Sequence, residues 1–288
     1  MTINYDNVYL KEVATTAGLK EKEGSFKNLY DKTYNDYYAG EKTFEQAEIK
    51  MIKDCYNILL SKSKKDIKNI DAIISGDLLN QITPSAYSCL YFNRPFLGIY
   101  NACATLCEGI IIAGSLLQNN NINNIIVNTS SHNNTAERQF RNPVEYGFPK
   151  PKRSTFTVTG SAACLLVKEK TNITVSNVSI GTVTDLNVTD VYDMGSVMAP
   201  SAARTIYENM KDTNSKISDY DLILTGDLGV YGKKILIEYM KENYNINIEN
   251  KLEDAASIIY DREKQKEVNA GGSGNSRLFT SVWIYRWY

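Results

Sequence analysis

The residues best suited to chemistry lie in the string Gly98-Ile-Tyr-Asn-Ala-Cys103-Ala-Thr-Leu-Cys107-Glu-Gly109, where a cysteine sits among small neighbours. A short apolar run at residues 96–100 leads in, and a largely apolar stretch at residues 105–118 leads out. That order predicts a strand, a tight turn carrying Cys103, and a buried helix. A thiol at a helix N-terminus meets unpaired backbone N–H groups and the positive end of the helix dipole. Both lower its pKa and attract anions. Ala102, Ala104 and Thr105 leave room for a ligand to reach the sulfur. The alternative is a buried structural cysteine, a common fate for this residue type. Cys107 lies one helical turn further on. The chain has a single histidine and no second cysteine pair, so no zinc or other metal site is expected.

Two further candidates come from the ends of apolar runs. Residues 71–80 read Asp-Ala-Ile-Ile-Ser-Gly-Asp77-Leu-Leu-Asn, a short strand running into Asp77. Residues 124–129 form another, followed by Ser130, Ser131 and the single histidine, His132. Ligands gather at the carboxyl ends of strands in open α/β sheets, which places Asp77 at such a mouth. His132 can donate a hydrogen bond or a charge. Its alternative role is a satisfied loop histidine. Asp77 repels anions, so it serves an anionic ligand only through a cation, a water or a structural bond. Its alternative role is a helix cap. A long polar loop, residues 133–152, follows His132 and reads as functional or mobile. Arg138, Arg141, Lys150, Lys152 and Arg153 crowd it and are placed to guide an anion, although Glu137 and Glu145 offset them. Of the 20 tyrosines, Tyr100 and Tyr146 are best placed to stack on an aromatic ring.

The elements that position these residues repeat. Residues 221–230 read Asp-Leu-Ile-Leu-Thr-Gly-Asp227-Leu-Gly-Val, matching residues 71–80 in pattern. Each copy follows a helix-like segment, so two halves of similar build are expected, residues 1–171 and 172–288. In the first half, residues 155–159 and 162–168 read as two strands meeting at Gly160. In the second, residues 175–186 read as a strand, and a helix starts after Ser201.

The whole chain sets the outer bounds. It has 288 residues, 43% hydrophobic and 23% charged, ordinary values for one large domain or two fused ones. The formal net charge of -1 gives no electrostatic footprint for nucleic acid or an anionic membrane. No apolar run is long enough to span a bilayer, and the first residues lack a secretory pattern. Five cysteines in an odd, irregular spacing fit a reduced, intracellular protein.

The segment around Cys103 resembles the nucleophile elbow of thiolases and ketoacyl synthases. That resemblance implies an α/β, thiolase-like fold: two similar βαβαβαββ halves in five layers, α/β/α/β/α. In that superfamily the cysteine is acylated, and histidines from the second half complete the site. No second-half histidine exists here. At the repeat position this chain carries Gly226-Asp227-Leu228, and an acid there would raise a nearby thiol's pKa. The strings Ser75-Gly-Asp-Leu-Leu-Asn-Gln81, Tyr100-Asn-Ala-Cys-Ala-Thr105 and Glu137-Arg-Gln-Phe-Arg-Asn-Pro-Val-Glu-Tyr-Gly147 resemble the stage V sporulation protein AD family. So do Thr157-Val-Thr-Gly160, Ile259-Tyr-Asp261, Ala270-Gly-Gly-Ser-Gly274 and Ala17-Gly-Leu-Lys-Glu-Lys-Glu-Gly24. The family tends to carry proline where this chain has Leu19.

That resemblance implies a non-catalytic protein of spore formation. It would bind dipicolinate (pyridine-2,6-dicarboxylate), as its calcium chelate, for uptake into the developing spore. The implied ligand contacts are Asp77, Cys103 and His132, with Arg138 and Arg141 guiding the anion and no cofactor. The implied partners are other stage V sporulation A membrane proteins, at the forespore or spore inner membrane, with a homodimer left open. Two competing functions are an acyltransferase using Cys103 and a scaffold without ligand. After Gly274 the chain departs from the family pattern and reads Asn275-Ser-Arg-Leu-Phe-Thr-Ser-Val-Trp-Ile-Tyr-Arg-Trp-Tyr288. The closing strands of the second half are therefore expected to be altered or truncated.

Overall fold

The computed structural model describes residues 1–141 and 151–274. The expectations for Glu145, Tyr146, Lys150 and the string after Gly274 fall outside the described residues. The elements run β1 (Thr2–Asn4), β2 (Tyr9–Ala17), α1 (Leu19–Glu23), β3 (Lys32–Thr33), α2 (Phe44–Ser63), β4 (Ala72–Gly76), α3 (Thr83–Cys89), β5 (Phe96–Gly98) and α4 (Thr105–Leu117). Next come β6 (Asn124–Ser131), α5 (Arg138–Arg141), β7 (Phe156–Thr157), β8 (Gly160–Val167), β9 (Ile173–Thr174), β10 (Asn177–Ser179) and α6 (Met194–Asp212). The remainder are β11 (Ile223–Thr225), α7 (Gly229–Tyr244), β12 (Leu252–Asp254), α8 (Ala255–Ile258) and β13 (Gly272–Ser273).

A seven-stranded mixed sheet carries the site. Its order is β3-β2-β8-β6-β4-β5, with β9 added on β2. β4 runs parallel to both β5 and β6, while β8 is antiparallel to β6 and β2. Neighbouring residues on a strand point to opposite faces. Ile73, Ile126 and Leu165 therefore face α2, where Ile52, Cys55, Tyr56 and Leu59 meet them. Ile74, Val127 and Leu166 face the other way, toward Leu106, Ala113 and Leu117 of α4. Cover on both faces explains why β8 is buried along its whole length. Burying each large apolar side chain there contributes roughly 1.5–3 kcal/mol. α2 starts at the Thr43 cap, whose side chain accepts from Gln46 N–H at 3.2 Å, and stops at Lys64 in the left-handed region.

The second repeat has the same opening. β11 runs parallel to β12 as β4 does to β5, and buried Asp227 follows β11 as Asp77 follows β4. α6 and α7 cross at two glycines: a Cβ on Gly195 would lie 2.8 Å from the Gly232 Cα. Two pairings join early and late parts of the chain, β1 with β10 and β7 with β13.

Some expected elements differ. The strand expected at 175–186 is reduced to β10, and Val183 beyond it is 95% exposed. Polar side chains take over the backbone there; Asp185 Oδ1 accepts from Asn187 N–H at 2.7 Å, with Asn187 in the left-handed region. The helix expected after Ser201 begins at Met194. Asp193 caps it through Ser196 N–H (3.0 Å) and Ser196 Oγ (2.7 Å), so Pro200 and Ser201 lie inside it. The helix α4 is buried on one stripe only, leaving Cys107 exposed. The strand expected at 155–159 is only β7, completed by β13 from more than a hundred residues away. No helix among the described residues is long and apolar enough to cross a membrane.

Candidate ligand site at Cys103

The site is assembled where β4 and β5 end. Ile99 N–H donates to Ser75 O at 3.0 Å, so the pairing outlasts β5 by one residue. A Cβ on Gly76 would lie 2.1 Å from Ile99 O, so only glycine allows this approach. The chain then turns sharply, with Ala102 at φ 43°, a costly conformation for a residue with a side chain. Thr105 holds the turn closed: its Oγ1 accepts from Asn101 N–H (3.1 Å) and donates to Ala102 O (2.9 Å). Ala104 N–H donates to Asn101 O at 2.7 Å. Cys103 is thereby placed at the head of α4, partly exposed.

Asp77 is 1% exposed and fully engaged. Its Oδ1 accepts from Leu79 N–H (2.9 Å), and its Oδ2 accepts from Ser85 N–H (2.9 Å) and Ser85 Oγ (2.7 Å). It ties the first turn of α3 to the end of β4, the capping role weighed against ligand contact above. Burial pushes its pKa up despite the Ser85 bonds. His132 is fully buried. Its Nε2 lies 2.7 Å from Tyr37 O, and its Nδ1 accepts from Asn134 N–H at 3.1 Å. A carbonyl can only accept, so Nε2 carries the proton and the ring is neutral. Burial lowers its pKa further. Both nitrogens are thus used within the protein, and Phe44 packs on the ring at 5.1 Å.

The structure brings Asp77, Cys103, Tyr100 and Glu137 into one neighbourhood. The Tyr100 phenol is held above its usual pKa by burial first, then by the negative charges of Glu137, Cys103 and Asp77. Glu137 Oε1 accepts from Asn80 N–H at 2.8 Å, which fixes α5 beside the same loop. Arg138 is exposed and Arg141 half-buried on α5; Arg141 Nε donates to Ala136 O at 2.6 Å. His132 contacts a different shell, Tyr37, Asn134 and Phe44. Among the described residues no cluster of histidines, cysteines and carboxylates suits a metal ion.

One residue of this region was not foreseen. Glu48 on α2 is 1% exposed; Ser130 Oγ (2.7 Å) and Thr135 Oγ1 (2.6 Å) bind its two oxygens. Its pKa is pushed up to about 8, by burial first and then by Asp77. The signal was present, since Glu48 shares a helical face with Ile52 and Cys55.

No disulfide joins the five cysteines. Burial pushes the Cys89 thiol up to about 11 and the Cys164 thiol to about 12, and raises Cys55 as well. Brief alkylation with iodoacetamide at neutral pH should therefore modify Cys107 and Cys103 and spare the other three. Peptide mass spectrometry reads this directly, and early labelling of Cys55 or Cys164 would contradict the packing of the sheet.

The sequence profile of the stage V sporulation protein AD family matches residues 2–286. The chain belongs to that family. Stage V sporulation protein AD of Bacillus subtilis (strain 168) is 41% identical over 267 residues, covering 93% of this chain and 78% of that protein. Among solved structures, 3-oxoacyl-(acyl carrier protein) synthase III (FabH) of Xanthomonas oryzae is similar at a TM-score of 0.63 and 12% identity, over 99% of this chain and 92% of that one. Cerulenin-bound OleA of Xanthomonas campestris is similar at 0.66 and 11%, over 99% and 90%. At such identities the likeness concerns the fold, which is thiolase-like. This sporulation family member thus carries a cysteine elbow on a fold that it shares with condensing enzymes.

Proposed function

We propose that this member of the stage V sporulation protein AD family is a non-catalytic binding protein that holds dipicolinate beside Cys103 for uptake into the developing spore. The observation that carries the reading is the state of the chain's single histidine. Condensation on a cysteine needs a base within reach, and both nitrogens of His132 are committed to Tyr37 and Asn134. The head of α4 remains as an anion-binding element, with N–H groups and the helix dipole directed at one carboxylate. Tyr100 offers a ring to stack on the pyridine. The negative surroundings of Tyr100 favour the calcium chelate over the bare dianion, because the cation offsets Asp77 and Glu137. In this reading Asp77 fixes the loop beside Cys103, His132 braces the neighbouring shell from within the protein, and Arg138 and Arg141 guide the anion in.

The proposed partners are the other stage V sporulation A membrane proteins, at the forespore or spore inner membrane, and a second copy of the chain. Support for the second copy is a sheet edge left open among the described residues: β5 is exposed, with Leu97 44% exposed, near exposed Tyr87 on α3 and Leu90 and Tyr91 just after it. The alternative reading, an acyltransferase using Cys103, draws on the fold shared with FabH and OleA.

Calorimetric titration with dipicolinate, with and without calcium, separates these readings. Saturable binding should appear, tighter with calcium, and Cys103→Ala should weaken it roughly five- to tenfold through one lost polar contact. Incubation with an acyl thioester should leave the mass of the protein unchanged. A stable acyl adduct on Cys103 with no dipicolinate binding would replace the binding reading with the enzyme reading.

A further inference from the structure

We propose that the buried carboxyl group of Glu21 is a protonation-controlled clasp, which holds residues 255–268 against the end of the main sheet when neutral and loosens them when ionised. The string Gly18-Leu-Lys-Glu21-Lys-Glu-Gly24 has no part in the Cys103 site, yet its geometry is specialised. Glu21 is 1% exposed on the short helix α1. Its Oε1 accepts from Thr159 N–H at 3.1 Å, between β7 and β8, and also from the Tyr260 hydroxyl just beyond α8. One oxygen therefore joins an early helix, the main sheet and a late segment.

The flanking glycines let this happen. A Cβ on Gly18 would sit 2.9 Å from Glu21 Oε2 and the same distance from Thr159 Cβ. A Cβ on Gly24 would lie 2.4 Å from Ile259 O. Around the carboxyl the seam is apolar: Ala17, Phe156, Val158, Ile259 and Val268 pack there with Tyr30 and Tyr260.

The groups facing Glu21 cannot neutralise a full charge. Glu21 Oε2 and the Tyr30 hydroxyl are buried without a hydrogen-bond partner among the described residues. Tyr260 is a phenol, itself near Tyr37. Lys20, a cation beside Glu21, is drawn into an ion pair with Glu267. Burial outweighs the Tyr260 and Thr159 bonds and pushes Glu21 up to about 7. Two other bonds of the seam do not titrate, Ser25 N–H to Ile259 O (3.1 Å) and Gln265 Nε2 to Lys20 O (2.9 Å), whereas Asp254, pushed up to about 6 by burial, caps α8 through Ser257 N–H (2.9 Å) and adds a smaller contrast of the same sign.

The direction follows from linkage. Below the ordinary value of 4.5 the carboxyl is neutral whether the seam is open or closed, so pH has no leverage. Between 4.5 and about 7 the closed seam keeps a proton that the open one releases, so closure weakens as pH rises. Above that both forms are ionised and the effect saturates. From pH 6 to pH 8 the opening constant should rise about tenfold.

Hydrogen exchange of the full chain, corrected for intrinsic rates, tests this. Peptides covering residues 255–268 should exchange about tenfold faster through local opening at pH 8 than at pH 6. Peptides covering β6 should show no such contrast. Glu21→Gln should cut the contrast to about twofold or less, the share that Asp254 can supply, whereas Tyr260→Phe should speed exchange at both pH values and keep the contrast. An equal rate at both pH values in the unmodified protein overturns the clasp, as does a contrast shared by β6. If Glu21→Gln fails to fold, the unmodified protein's contrast and the Tyr260→Phe variant still decide the matter.

Discussion

Replacing Gly76 with alanine should lower the melting temperature on the order of 10 °C and disorder the Cys103 turn. The added Cβ would lie 2.1 Å from Ile99 O and 2.7 Å from Thr105 Cγ2. Neither atom can yield cheaply. Ile99 is paired with Ser75, and Thr105 closes the turn through Asn101 and Ala102. Overpacking against backbone costs about 3 kcal/mol, and each kcal/mol moves the midpoint of a chain this size by roughly 2–4 °C. The same displacement lifts the head of α4, so Cys103 should also be alkylated at a changed rate. Scanning fluorimetry and timed alkylation check both parts. An alanine variant that melts and reacts like the parent would mean that β4 and the turn are not in contact as described.

Asp254→Ala should cost still more in the second repeat, on the order of 4 kcal/mol. The Asp254 carboxylate is fully buried at the end of β12. It accepts from Leu228 N–H (3.0 Å), Gly229 N–H (2.9 Å), Ser257 N–H (2.9 Å) and Thr225 Oγ1 (2.9 Å). It thus caps α7 and α8 at once and anchors β11. Truncation leaves three backbone donors without an acceptor, each worth about 1–3 kcal/mol when buried. Urea unfolding should show a lower midpoint at an unchanged slope. Asp254→Asn should fall between, because one amide oxygen can serve only some of the donors. A midpoint within error of the parent would show that water replaces the carboxylate without loss.

Much of this architecture was legible in the chain. The Gly-Asp-Leu repeat placed Asp77 and Asp227 at the ends of two similar strands, and Cys103 falls where a strand–turn–helix reading placed it. His132 follows the end of β6, as expected. What its side chain does was not legible, because its partner Tyr37 O is 95 residues away and belongs to a carbonyl, which any residue type supplies. Asp77 showed the same limit: a carboxylate at a strand end can hold a ligand or a helix, and only the position of Ser85 decides. The start of α6 was misplaced because Pro200 reads as a helix boundary, whereas the Asp193 cap carries the helix through it. Glu21 sits in a string of lysines and glutamates that reads as solvated surface. Its burial depends on Thr159 and Tyr260, which no local pattern announces.

The antiparallel pairing of β2 with β8 also sets the order in which the newborn chain can fold. Ala17 pairs with Gly160 and Tyr9 with Val167, so β2 leaves the ribosome about 150 residues before its inner neighbour. At roughly 5–20 residues per second that wait lasts about 10–30 s. Meanwhile β4, β5 and β6 can close on α4 as soon as β6 is out, a compact nucleus of short-range contacts. A strand made near the start of the chain is therefore among the last to be locked into its sheet. Until then Leu10, Val13 and Ala14 are an apolar edge open to chaperones or to a neighbouring nascent chain.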